Sequence, residues 1–197
     1  TMGWLMALLI LALLVGVPVL VYNKLVAGKN QYQNAFAQIE VQLKRRHDLI
    51  PNLVEAAKAY LSHENQTLVA VTQARNAAVT ALQAAHAAPQ NPAALAALAG
   101  SENQLLQALK GLNVQLEAYP ELQANENIKQ LSEEIASTEN RVSFARQAYN
   151  DAVMGYNTTR QSFPYVVLAG FFGHKQDAAL LQFADSETIQ NSPKVSF

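Results

Sequence analysis

Apolar and small residues recur at or close to intervals of three and four positions through most of this chain. Around the segment from Gln38 to Arg75 they form one stripe: Leu53, Ala57, Leu61, Leu68, Val71, Ala78 and Leu82. This spacing places them on one face of a helix. Because a single helix cannot bury such a face alone, the pattern predicts a helix from about residue 51 to Ala88 that packs against partner helices.

Two further stripes predict two further helices. The first runs from Ala93 to Tyr119, with seam residues Leu95, Leu98, Glu102, Leu105, Leu109, Leu112, Leu116 and Tyr119. The second runs from about residue 121 or 125 to about residue 162, with seam residues Ile128, Leu131, Ile135, Thr138, Val142, Ala145, Tyr149, Val153 and Tyr156. Prolines end the segments, and the connections are short, so neighbouring helices must run antiparallel. The predicted fold is all-α: an up-and-down antiparallel helical bundle of three to four helices with coiled-coil-like seams.

Residues 1–23 contain an apolar run that differs from these amphipathic stripes. Met2–Tyr22 has no charged side chain, and at about 1.5 Å per residue it reaches about 30 Å, the thickness of the hydrocarbon core of a bilayer. Trp4 and Tyr22 lie near its ends, where aromatic rings favour contact with lipid headgroups. A cleaved signal peptide is the alternative, but no cation precedes the run and no small-residue cleavage site follows it. The run predicts an N-terminal transmembrane helix.

The connection between this anchor and the bundle leaves two questions open. Helical spacing continues from Tyr22 to about residue 43, with Gly28 as its weakest helix former. Pro51 disfavours the preceding helical turn, so either a kink or a short break is expected at residues 48–51. Residues 24–48 are either a stalk to the membrane or a fourth helix of the bundle.

Positive charge is concentrated on the C-terminal side of the apolar run. Lys24 and Lys29 follow it directly and are expected to contact headgroups. The triplet Lys44–Arg46 comes within about 20 residues of the run, so the positive-inside rule predicts an outer N-terminus and a cytoplasmic C-terminal domain. The triplet itself has two interpretations, a solvated helix face or a contact with anionic lipid or an adjacent subunit.

A dense apolar segment follows the last predicted helix. Residues 163–172 read FPYVVLAGFF, which is too short to span a bilayer. The segment either covers an open end of the bundle, or contacts the membrane interface or a neighbouring subunit. In the second interpretation the contact residues are Phe163, Phe171 and Phe172.

Composition and motifs narrow the classes of function. The chain has no Cys and a net charge of -1, which excludes thiolate chemistry and gives no basic field for nucleic acid. His63-Glu64 begins a metalloprotease-like motif, but Thr67 stands where the second His is needed. The sequence has neither a Gly-rich phosphate loop nor a nucleophile elbow. We therefore expect a non-enzymatic protein with no catalytic residues, cofactor or metal.

Charged and amide side chains occupy positions on or beside the stripes. They are Glu64, Arg75, Glu102, Arg141, Arg146, Asn150 and Asn157. An unpartnered buried charge costs several kcal/mol, so these groups must pair or reach solvent. We predict a polar core network that fixes helix register, with Arg75 paired to a seam carboxylate such as Glu102. The alternative is a polar groove for a ligand or a partner segment.

A set of short stretches spread over the chain after the anchor forms a recognisable pattern. They are Tyr22–Val26, Leu43–Tyr60, His63–Asn65, Ala74-Arg75, Glu102-Asn103, Glu117–Asn127, Thr138–Asn157 and Phe163-Pro164. In these stretches the chain resembles the LemA family of bacterial membrane-anchored helical proteins. The resemblance implies a short outer N-terminus, one transmembrane helix, a cytoplasmic bundle and no established enzymatic activity. Relatives of the family among magnetosome membrane proteins point to a role in organising membranes.

Two hypotheses of function follow. The first is a structural protein of the bacterial cytoplasmic membrane, with residues 1–23 as anchor, 24–162 as bundle and 163–197 as apolar segment and tail. Its partners are the lipid bilayer and further copies of itself, and Ala12 and Gly16 form a small-xxx-small pair that permits close approach of two anchors. The second is an adaptor that recruits a protein partner through the bundle surface.

Overall fold

The computed structural model describes residues 2–61, 63 and 65–183, and the regular elements in this part of the chain are all helices. They are α1 (Met2–Lys58), α2 (Asn65–Ala87), α3 (Pro92–Ala118), α4 (Pro120–Gln123), α5 (Glu126–Gln161) and α6 (Tyr165–Leu168). The long helices are α1, α2, α3 and α5, whereas α4 and α6 are single turns. The predicted all-α fold is confirmed.

The four long helices form an up-and-down antiparallel bundle, as predicted. α1 packs along α5, and α2 packs along α3, while α1 also contacts α2. Short connections force each long helix to reverse the direction of the one before it. The bundle therefore consists of two helix pairs, α1 with α5 and α2 with α3.

α1 is one continuous helix that contains both Pro18 and Pro51. No break occurs at residues 48–51. Residues 24–48 are a helix of the bundle and not a stalk, because Leu25, Ile39 and Leu43 are completely buried. Of the described helices, α1 is the one long and apolar enough to cross a membrane, and almost none of its most apolar stretch is buried.

The predicted helix from about residue 51 to Ala88 is wrong, since the chain reverses inside it. α1 ends at Lys58 and α2 begins at Asn65, with the N–H groups of Tyr60 and Leu61 bonded to the carbonyl of Ala57 at 3.0 and 2.9 Å. Leu61 and Leu68 are seven positions apart, which is also the spacing of two turns of one helix face. Periodicity alone therefore concealed the reversal.

The boundaries of α3 and α5 follow their sequence signals closely. The side chain of Asn91 accepts a hydrogen bond from the N–H of Ala93 at 2.9 Å, and Pro92 occupies the first turn. The side chain of Asn125 accepts from the N–H groups of Asn127 and Ile128 at 3.0 and 3.2 Å. These side chains satisfy N–H groups that have no partner within the helix, which fixes where each helix begins.

Two hydrophobic clusters fill the bundle at different heights. The anchor-proximal cluster contains Val21 to Leu43 of α1 and Val142 to Tyr156 of α5 among its members. The distal cluster contains Ile50 to Ala57 of α1, Leu61 just after it, and Leu105 to Leu116 of α3. After α6 the chain folds back onto the bundle, where Leu181 and Phe183 join the anchor-proximal cluster.

Candidate functional site

Side chains from all four long helices meet between the two hydrophobic clusters. This polar layer consists of Arg46 and His47 of α1, Arg75 of α2, Glu102 of α3 and Thr138 of α5. Arg46, His47, Glu102 and Thr138 are buried, and Arg75 is half-buried.

Glu102 is the centre of the polar layer. Its Oε2 accepts from Nη1 of Arg46 at 3.2 Å, and its Oε1 lies 2.6 Å from Nε2 of His47. Nε of Arg46 donates to Oγ1 of Thr138 at 3.3 Å, while that hydroxyl donates to the carbonyl of Ile135 at 2.6 Å. The buried carboxylate is thus matched by a buried guanidinium, and both have further hydrogen-bonding partners, which a buried ion pair requires for its stability.

Arg75 does not pair with Glu102, contrary to the prediction. Its Nε donates to the carbonyl oxygen of His47 at 3.0 Å, and its Nη1 donates to Oδ1 of Asn76 at 3.2 Å. In a regular helix the carbonyl of His47 accepts from the N–H of residue 51, but Pro51 has no N–H. Arg75 supplies the missing donor from α2, so the proline is accommodated without breaking α1.

Sequence reasoning missed Arg46 and His47 as core residues. For Arg46 both predicted roles of the triplet Lys44–Arg46, a solvated face and a lipid or subunit contact, are wrong, because its side chain is 2% exposed. The signal was present: Arg46 lies three positions after Leu43 and four before Ile50, on the buried stripe. The predicted interruption at residues 48–51 assigns Arg46 and Ile50 to separate segments, so the continuity of the stripe through Arg46 is not recognised. Lys44 and Arg45 are exposed.

The other residues of the predicted network lie elsewhere. Arg146 is buried, with its guanidinium carbon 4.7 Å from the ring centroid of Phe183. Arg141 is exposed on α5. Glu64 lies outside the described residues. The structure therefore brings Glu102 into the polar layer. It directs Arg146 towards residues 174–183, which follow α6 and are here called the C-terminal segment.

Two asparagines of α5 bind the backbone of that segment. Asn150 donates to the carbonyl of Leu181 at 3.0 Å and accepts from its N–H at 2.9 Å. Asn157 does the same with Ala178, at 3.0 and 2.8 Å. Each amide pairs with one backbone unit as a neighbouring strand does, which holds the segment against α5.

Buried tyrosines and one histidine lie beside this contact. The hydroxyl of Tyr156 and Nδ1 of His174 share a hydrogen bond of 2.7 Å. Burial lowers the pKa of His174, and nearby Lys29 lowers it further. Burial also raises the pKa values of Tyr32 and Tyr149 to about 12.

An open groove lies between α1 and α2 beside the polar layer. Its volume is about 540 Å³, and it is lined by Val41, Val79 and Leu82 together with charged residues that include Lys44 and Asp48. Nδ1 of His86 lies 2.8 Å from Oε1 of Glu40 at the same groove.

The apolar segment 163–172 lies against α1 near Tyr22. The rings of Tyr22 and Phe172 meet edge to face, with centroids 5.3 Å apart. Phe163 and Phe171 are 83% and 87% exposed. Of the predicted headgroup contacts, Trp4, Tyr22 and Lys24 are exposed, and Lys29 is half-buried.

Within the described residues, no three His, Asp or Glu side chains converge in a way that could hold a metal ion. The groups of the polar layer bond to one another and to the backbone.

Two comparisons with known proteins agree with these features. The model of the LemA family matches residues 35–197 of the chain. Protein LemA of Metamycoplasma hominis is 28% identical over 141 residues, which is 72% of this chain and 60% of the relative. The match thus spans slightly less than two thirds of that relative's length.

Proposed function

The chain belongs to the LemA family, and we propose that it is a structural protein of the bacterial cytoplasmic membrane that self-associates and organises or shapes that membrane. The observation that carries the proposal is the continuity of α1 from Met2 to Lys58. Since no flexible linker separates the apolar stretch from the bundle, contacts between bundles act directly on the orientation of their anchors.

The polar layer supports a structural role. Both carboxylate oxygens of Glu102 are bonded within the bundle, Oε2 to Arg46 and Oε1 to His47. A polar group that is buried and satisfied by neighbouring helices fixes their register. The bundle is accordingly a rigid body attached to a membrane helix.

The proposed topology places the N-terminus outside and the bundle in the cytoplasm. Lys24 and Lys29 follow the apolar stretch, on the side that the positive-inside rule assigns to the cytoplasm. Trp4 and Tyr22 then lie at the two interfaces.

Self-association through the anchor is tested by cysteine cross-linking in native membranes, since the chain has no Cys of its own. Ala12→Cys and Gly16→Cys lie on one face of α1, and open space surrounds Gly16. Leu14→Cys lies on the opposite face and is the matched control. We expect oxidised dimers at positions 12 and 16 and few at position 14. Monomers at all three positions, together with a monomer in mild detergent at every concentration, would contradict self-association.

The groove between α1 and α2 favours a second candidate, an adaptor that binds an amphipathic protein segment. The apolar walls match the apolar face of such a segment, and Lys44 and Asp48 offer charges of both signs to its polar edge. Grooves of this kind bind helices through residues spaced by three and four positions.

The adaptor is tested by affinity capture with matched surface variants of the full chain in detergent. Val41→Asp places a charge in the groove, and Val114→Asp places one on α3; the two valines are 57% and 64% exposed, so neither change disturbs the core. If the protein is an adaptor, the unmodified chain captures one stoichiometric partner, Val41→Asp loses that partner, and Val114→Asp retains it. Equal capture by both variants contradicts binding in the groove.

A further inference from the structure

We infer that the segment 163–172 is a second membrane contact, inserted into the headgroup region of the bilayer next to α1. The inference rests on the proposed anchoring of α1 and adds the lipid surface as a specific partner of this segment. It follows from the length of the anchor, the position of the segment and the side chains that it exposes.

The first observation concerns the length of α1 that no other part of the described chain covers. Met2–Val15 is exposed on all sides, whereas Gly16, Val17 and Pro18 are half-buried. At about 1.5 Å per residue the exposed part reaches about 21 Å, but a hydrocarbon core is about 30 Å thick. The bilayer must therefore extend past residue 15, into the part of α1 that protein covers on one side, where Val21 is buried while Val19 and Leu20 stay exposed.

The segment 163–172 lies at that height. Val17, Leu168 and Phe172 all pack against the anchor-proximal cluster, and Val21 is one of its buried members. Phe172 also meets the ring of Tyr22. If the apolar run Met2–Tyr22 occupies the membrane, the segment lies within the interface and not above it.

The exposed side chains of the segment suit lipid and not water. Phe163, Val166, Val167 and Phe171 are 83%, 52%, 59% and 87% exposed. The other side of α6 packs inward through Tyr165 and Leu168, so this turn is apolar on both sides. A short helix that is apolar all round is stable only when both sides are covered. Lys24, exposed two residues beyond the apolar run, adds a cation at the same level, where anionic lipid attracts it.

The experiment uses the full chain reconstituted in vesicles of phosphatidylcholine and phosphatidylglycerol. Single variants Phe171→Cys, Val114→Cys and Leu9→Cys carry one environment-sensitive fluorophore each, which the absence of native Cys permits. Position 171 reports on the segment, position 114 is an exposed apolar site on α3 beside the distal cluster, and position 9 lies in the anchor. Lipids with spin-labelled acyl chains quench a fluorophore that touches them.

We expect a blue-shifted emission at position 171 and quenching several-fold stronger than at position 114. Quenching at position 9 with a water-like, unquenched probe at 171 overturns the membrane contact and leaves the anchor intact. A blue shift at 171 without lipid quenching means that a second protein copy covers the segment, and it also overturns the inference. No quenching at position 9 overturns the anchoring and the inference together.

Discussion

Nε of Arg75 lies 3.0 Å from the carbonyl oxygen of His47, and this hydrogen bond replaces the one that Pro51 removes from α1. A proline in the interior of a helix normally costs about 3 kcal/mol, partly because it leaves the carbonyl four positions earlier without a donor. Here a neighbouring helix supplies the donor. The same bond ties α2 to α1 at the height of the polar layer.

The loss of stability that follows removal of the Arg75 side chain should therefore depend on which residue occupies position 51. Arg75→Ala should lower the free energy of unfolding by about 1–3 kcal/mol, because a charged donor is lost and a carbonyl is left unsatisfied. In a Pro51→Ala background the new N–H bonds to His47, and the same change should cost less than half as much. Urea unfolding of the four proteins in detergent gives the double-mutant cycle. Asn76→Ala is the control for the second hydrogen bond of Arg75, and equal costs in both backgrounds would refute the replacement.

Glu102 should be among the most sensitive positions of the bundle. Glu102→Ala leaves the buried charge of Arg46 without its partner, and the expected cost is about 3–5 kcal/mol of unfolding free energy. Arg46→Met combined with Glu102→Leu removes both charges and should recover a large part of that loss. Recovery is partial because His47 also loses its partner. Chemical unfolding measures the stability of Glu102→Ala and of the double variant. The control is Glu139→Ala, an exposed position on α5, which should change stability by less than about 0.5 kcal/mol. A double variant no more stable than Glu102→Ala would contradict the pairing.

The C-terminal segment should detach when its asparagine contacts are removed. Asn157→Ala deletes both hydrogen bonds to Ala178, so the amide hydrogens nearby should exchange faster with solvent. Asn150→Ala should act in the same way at Leu181. Hydrogen exchange by mass spectrometry measures the effect, with Asn140→Ala, an exposed amide of the same helix, as the control. Unchanged exchange over residues 174–183 in both variants would show that the asparagines do not hold the segment.

His174 should make the bundle less stable in mild acid. Folding lowers the pKa of His174 from its ordinary value of 6.5. Well above pH 6.5 the imidazole is therefore neutral in both the folded and the unfolded state. As the pH falls below 6.5, the unfolded chain binds a proton first and the folded state loses stability. Between about pH 8 and about pH 5, the wild-type Tm should fall further than that of His174→Gln. Parallel pH profiles, or a steeper fall in the variant, would contradict the burial of a neutral imidazole.

Two helix-interior glycines offer a matched comparison. A Cβ at Gly111 meets nothing within 4 Å, so Gly111→Ala should stabilise the chain by about 0.5–1 kcal/mol through helix propensity alone. A Cβ at Gly28 would lie 3.2 Å from Cδ2 of Tyr156, so Gly28→Ala should gain less or destabilise. Thermal unfolding of both variants separates propensity from packing. An equal gain would mean that Tyr156 moves without cost.

Local patterns predicted a large part of the fold correctly. The seams of α3 and α5 appeared in the sequence because each is set by residues on one helix, and the caps at Asn91 and Asn125 act within a few residues. The reversal between Lys58 and Asn65 was missed because its flanking leucines keep the spacing of a continuous helix. The partners of Glu102 were missed because they lie on another helix, far away in sequence.

By itself the sequence determined most of the buried apolar positions, which stretch is apolar enough to cross a membrane, and that Glu102 requires a partner. Only the tertiary structure decided that the partner is Arg46 and that Arg75 instead serves the carbonyl freed by Pro51. The reason is geometric. Moving the reversal after Lys58 by one helical turn shifts every residue of α2 by about 5.4 Å relative to α1, farther than a hydrogen bond can span.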